Sequence, residues 1–111
     1  MSELTEKRCK PCEGGAMPLS QEVARGLLQQ TPEWVLNDQG DEISRSFQFK
    51  NYYQTLAFVN ALAWVAHQED HHPDLEVSYN KCHVRFSTHA IKGLSENDFI
   101  CAAKIDALRP V

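Results

Sequence analysis

With 111 residues, the chain has the length of one domain with its own core, and 42% hydrophobic with 23% charged residues is an ordinary globular balance. A net charge of −4 argues against sequence-independent nucleic-acid binding, which draws on a basic surface. The longest uncharged run, residues 51–68, includes Asn, Gln, Thr, Tyr and His and is too polar to span a membrane; no apolar leader follows Met1, so a cytoplasmic protein is expected.

Residues 1–18 carry charge, Gly14-Gly15 and two prolines, and read as an irregular lead-in to a single domain at 19–111. Cys9 and Cys12 form a CxxC there. A zinc site needs four ligands and the chain has no second CxxC, while a redox motif should follow a strand and open a helix, so a loosely packed tail is expected. Cys82 and Cys101 lie in apolar patterns and read as buried free thiols.

Ser20 is a good N-cap for a helix over 21–30 with Val23, Leu27 and Leu28 as its apolar stripe, and Thr31-Pro32 ends it. Trp34 to Leu36 is a short extended run, Asn37 to Gly40 a turn, and the alternation of Ile43, Phe47 and Phe49 predicts a strand over 42–49. The run 51–68 predicts the longest helix. It is apolar around most of its circumference, so burial on several sides is expected.

Pro73 stops that helix, because its ring removes a donor and pushes the preceding residue out of the α region. Leu75, Val77 and Tyr79, then Cys82, Val84, Phe86 and Thr88, alternate with polar residues and predict two strands joined by a turn at Asn80-Lys81. Ser95 and Asp98 have capping-box spacing at the start of a last helix with Phe99, Ile100, Ala103 and Ala107 inward. The order is α-β-β-α-β-β-α: an α+β fold with a four-stranded antiparallel sheet and three helices packed on one face. Its open face and edges call for protection, for which self-association is a common solution.

All five histidines fall between residues 67 and 89. Imidazole titrates closest to neutrality, so their crowding suggests proton transfer or metal binding. His67 and His71 have helical i, i+4 spacing, and His72 and His89 would complete a metal set, but Gln68 stands where a metalloprotease motif has glutamate and Pro73 leaves little room. The helix dipole accounts for a histidine at a helix end without accounting for His89, and His83, mid-strand, reads as structural. A hairpin returns its end beside its start, so His89 should lie near His71 and His72, where imidazoles can exchange protons without a metal.

The pattern of His67, His71-His72-Pro73, Tyr79, His89 and Asp98 resembles the signature of the pterin-4a-carbinolamine dehydratases, with Trp34, YNK at 79–81, STH at 87–89 and GLSEND at 93–98 as matching flanks. The likeness covers about residues 19–108, and His67 stands where the family often has glutamate. It implies the α+β sheet, a homodimer or homotetramer, no cofactor and no metal. It also implies loss of water from a 4a-hydroxytetrahydropterin, such as 4a-hydroxytetrahydrobiopterin, to give the quinonoid dihydropterin, recycling the cofactor of an aromatic amino acid hydroxylase.

The catalytic set carried over is His71, His72 and His89. His71 and His89 are assigned as general acids towards the 4a-hydroxyl, and His72 orients the pterin and takes the N5 proton. Trp34, Asp70, Pro73, Ser87 and Thr88 are the expected substrate-binding residues. Asp70 is placed to bias a histidine through its charge, and Asp98 is expected to cap the last helix. The alternative from another class is a dimerisation or coactivator-type binding module built on helix 51–68, or a role in molybdopterin metabolism.

Overall fold

The computed structural model describes residues 3–10 and 17–108. After a short 3-10 turn at Glu3–Glu6 come α1 (Gln21–Leu28), β1 (Val35–Leu36), β2 (Ile43–Gln48), α2 (Tyr52–Glu69), β3 (Asp74–Val77), β4 (Lys81–Phe86) and α3 (Glu96–Asp106). The strands form one antiparallel sheet in the order β1-β2-β4-β3. Fold class and element order are as the alternation and capping signals predict.

The two sheet faces differ as period-2 patterning requires. Ile43, Cys82, Val84 and Phe86 are buried against Ala24, Phe58, Leu62, Phe99 and Ile100 from the helices. The other face carries polar cross-strand partners: Ser46 Oγ lies 2.6 Å from His83 Nδ1, and Arg85 donates to Glu76 at 2.6 Å. His83 therefore belongs to the outer face.

Local chemistry fixes the element ends. Ser20 and Asn51 side chains accept from the N–H groups of Val23 and Gln54, capping α1 and α2. Asn37 Oδ1 accepts from Asp41 and Glu42 N–H in the first turn, which Gly40 completes at φ +73°, where a side chain would be strained.

Four details depart from the sequence reading. α1 ends at Leu28 and turns Ala24 inward, leaving Val23 49% exposed. Ser78 N–H bonds Lys81 C=O, so the β3–β4 turn centres on Tyr79-Asn80, one residue earlier than expected. Ala107 lies past the end of α3 and is exposed. α2 buries one face, through Thr55, Phe58 and Leu62, and leaves Tyr53 and Trp64 exposed, Trp64 by 61%. Its apolar circumference exceeds what one small sheet can cover.

The largest departure is at the N-terminus. Leu4 is 1% exposed and belongs to the main core, and residues 3–10 lie along α3 as a strap. Lys7 pairs with Glu96 at 2.7 Å, and the Lys10 peptide both donates to and accepts from the Asn97 side chain. Cys9 N–H donates to Glu69 Oε1 at 2.8 Å, while Glu69 Oε2 meets Lys104 at 2.9 Å and Arg8 at 3.1 Å. Cys12 lies outside the described residues.

Burial alone would push the Glu69 carboxyl up, but the Cys9 N–H, Lys104 and Arg8 together outweigh it and hold the group below its ordinary 4.5. A depressed carboxyl contributes stability at higher pH that is lost as pH falls through its folded-state value. Protection of residues 3–10 against amide exchange, taken relative to intrinsic rates, is therefore expected to fall below about pH 4.5, and Glu69→Gln should flatten that dependence. Strap protection unchanged through the acid range in the native chain would refute this role of Glu69.

Candidate active site

The site begins where α2 stops. Asp70 takes the left-handed conformation (φ 52°, ψ 44°); its N–H bonds His67 C=O and the His71 N–H bonds Ala66 C=O, the paired closure of a Schellman end. His71 and His72 follow that reversal directly. The His71 ring stacks on Phe86 with centroids 5.7 Å apart and planes 6° apart. His72 lies outside it, 6.2 Å from His89 between ring centroids.

His89 arrives from the other side of the hairpin. After β4, Thr88 pairs with Gly93 across a tight loop that holds the 3-10 turn His89–Ile91. Gly93 leaves room for Pro18, whose Cβ would lie 2.6 Å from a Cβ at that position. The hairpin geometry thus brings His71, His72 and His89 to one place, as the spacing predicts.

Beneath them is Asp98, fully buried on the first turn of α3. Its Oδ1 lies 2.6 Å from His71 Nε2. Its Oδ2 accepts from the Thr88 hydroxyl at 2.8 Å and from Ser95 N–H at 3.0 Å. Thr88 spends its one proton on Asp98, so it accepts from the Ser95 hydroxyl 2.8 Å away. Asp98 is the expected cap, and the same carboxylate fixes the catalytic-candidate ring. With Nε2–H donated to Asp98, Nδ1 is the His71 nitrogen left to exchange a proton, and a charge formed on the ring has a counter-ion.

A cavity of about 480 Å³ opens over this group. His71, His72, His89, Asp70, Ser87 and Thr88 line it, and so do Glu69, Asn97 and the strap residues Cys9 and Lys10. Trp34 does not. It is 2% exposed, packs on Phe47 and Phe86, and donates its indole N–H to Asp106 at 2.8 Å, so this expected substrate-binding residue is a core residue. Pro73 borders a neighbouring apolar groove with Leu62, Ala66 and His67, and His67 lies against Trp64. His67 is therefore not gathered with His89, and among the described residues no three His, Cys, Asp or Glu side chains are grouped as a metal set.

A family model for pterin 4 alpha carbinolamine dehydratase matches residues 17–108. The chain belongs to that family. A Nitrosomonas eutropha protein carrying the pterin-4-alpha-carbinolamine dehydratase name is 64% identical over 107 residues, covering 96% of this chain and 93% of its own. A Legionella pneumophila protein of the same name is 55% identical over 108 residues, covering 96% of both chains. Among solved structures, the transcriptional coactivator/pterin dehydratase of Brucella melitensis superposes with a TM-score of 0.77 at 31% identity, over 81% of this chain and 96% of that one. A pterin dehydratase-like RuBisCO assembly factor of the alpha-carboxysome gives 0.61 at 26% identity, over 68% and 88%.

In this family member the strap lies outside residues 17–108 yet walls the cavity. Most of it falls within the length shared with the Nitrosomonas protein. Sequence reasoning missed two things, the bond from Asp98 to His71 and the docking of Cys9 and Lys10. The first had a signal in the GLSEND flank. The second had only Leu4 and Cys9, two apolar residues in a charged segment.

Proposed function

We propose that the chain dehydrates a 4a-hydroxytetrahydropterin by histidine acid/base catalysis, and so returns the pterin to an aromatic amino acid hydroxylase. The observation that carries it is the convergence of three imidazoles on one cavity of about 480 Å³, one of them held by a buried carboxylate. That volume is in the range of small-molecule sites. In the reaction the C4a–O bond breaks as the hydroxyl takes a proton, N5 gives up its proton, and a C4a=N5 double bond forms with release of water.

His71 and His89 act as the general acids, and His72 orients the ring and receives the N5 proton. Asp98 is a positioning residue, setting which His71 nitrogen works. Asp70, Ser87 and Thr88 border the substrate space, Thr88 through its backbone because its hydroxyl is committed to Asp98 and Ser95. No step calls for a metal or organic cofactor.

The test is freshly generated 4a-hydroxytetrahydropterin mixed with protein in chelator, its dehydration followed against the spontaneous rate. A clear acceleration that falls roughly 10²–10⁴-fold in His72→Ala is expected. No acceleration by the native chain overturns the proposal.

A second reading has its own observation, the exposed apolar face of α2 with Tyr53 and Trp64. It supports a homodimer or homotetramer, or the partner-binding role named for the Brucella and carboxysome proteins. A binding module keeps its partner when His71, His72 and His89 become alanine, whereas the dehydratase loses turnover. Among the described residues no helix is long and apolar enough to cross a membrane.

A further inference from the structure

Cys9 on the strap and Cys101 on α3 are 92 residues apart in sequence, and their sulfurs are 3.6 Å apart. That is van der Waals contact, and a disulfide at about 2.05 Å requires the sulfurs to close by roughly 1.5 Å. The approach is built by the fold. Leu4 anchors one end of the strap in the core, and Cys9 N–H and the Lys10 peptide are held by Glu69 and Asn97 on either side of the thiol. Cys9 Sγ also lies 3.6 Å from Asn97 C=O, and Cys101 Sγ 4.0 Å from His71 C=O. The pair sits under the backbone of the histidine cluster.

We propose that Cys9 and Cys101 form a redox modification site, at which a disulfide fastens the cavity-lining strap to α3. The two thiols differ as an attacking and a resolving cysteine should. Cys9 is half-buried and lines the cavity, open to a small oxidant, whereas Cys101 is fully buried and reachable only from Cys9. Its hydrogen bond with Cys9, then burial, push the Cys101 thiol far up, so the first attack falls to Cys9, the sulfur that the cavity exposes.

With a low-molecular-weight disulfide such as oxidised glutathione as oxidant, the Cys9 thiolate attacks one sulfur and expels a glutathione thiolate. Capping Cys9 with glutathione ends its hydrogen bond with Cys101, the largest cause of that upward push. Cys101 then attacks Cys9 Sγ and its proton passes to the departing glutathione sulfur; the Cys9–glutathione bond breaks as the Cys9–Cys101 bond forms. Two protein thiols are oxidised by two electrons, and one oxidised glutathione becomes two reduced molecules.

The rival pairing is Cys9 with Cys12, three residues further along. The experiment equilibrates reduced full chain with oxidised glutathione, quenches the thiols, and maps linkages by mass spectrometry of non-reduced peptides. A Cys9–Cys101 linkage is expected in the native chain and in Cys12→Ser. Cys101→Ser should instead stop at a Cys9–glutathione adduct, and if that core variant does not fold, Cys9→Ser serves, leaving Cys101 unmodified. Amide exchange of residues 3–10 should slow at least about tenfold on oxidation and recover with reductant. A Cys9–Cys12 linkage with Cys101 left free, or no linkage in Cys12→Ser, overturns the proposal.

Discussion

Asp98→Asn is expected to fold and to turn over roughly 10²–10⁴-fold more slowly, the usual contribution of a positioned acid/base group. The carboxylate receives on both oxygens, from His71 Nε2 on one side and from Thr88 and Ser95 on the other. An amide has one accepting and one donating end. With its oxygen towards Ser95 it presents NH₂ to His71 and forces the ring proton onto Nδ1, the wrong tautomer. Turned the other way, it faces the Ser95 N–H with a second donor. Either orientation costs about 1–3 kcal/mol of stability, so a thermal melt beside the kinetics separates the two effects. A tautomer shift at His71, read from its ring nitrogen resonances, would show that the loss runs through orientation. Unchanged kcat in a folded variant would remove Asp98 from the machinery.

The second large effect is on stability. Leu4→Ala should cost about 2–5 kcal/mol, the range for emptying a buried leucine site. At roughly 4–8 °C per kcal/mol for domains near this size, the melting temperature should fall by about 10 °C or more. The expectation is strong because Leu4 belongs to the same cluster as Phe99 and Ile105 rather than to a surface patch. A loss within about 0.5 kcal/mol would mark the strap as an appendage whose release leaves the domain intact.

What the sequence disclosed follows from how local each signal is. Pro73 and the alternation from Leu75 to Phe86 act within a few residues, so the helix end, the hairpin and the meeting of His71, His72 and His89 were all legible. The turn slipped by one residue because the alternation counts Tyr79 with Leu75 and Val77, whereas Tyr79 is exposed and stands in the turn. Trp34 was misplaced because an aromatic beside a strand reads alike whether it faces a ligand or the core; only the bond from its indole to Asp106, 72 residues away, decides. Asp98 was read as a cap, a local role, and its long-range role depended on a backbone reversal at Asp70 that no glycine announces. The strap was least legible, since charge dominates its composition and Gln68, Glu69, Glu96, Asn97 and Cys101, which hold it, lie sixty or more residues downstream.

That distance gives the strap a history during synthesis. Lys10 and its partner Asn97 are 87 residues apart, and Cys9 and Cys101 are 92 apart. At roughly 5–20 residues per second, α3 follows the strap off the ribosome by about 5–18 s. For that interval a nascent chain carries Leu4 without its pocket and both cysteines without each other. The strap is housed only once α3 has been made, so the cavity acquires this wall after the histidines that it faces.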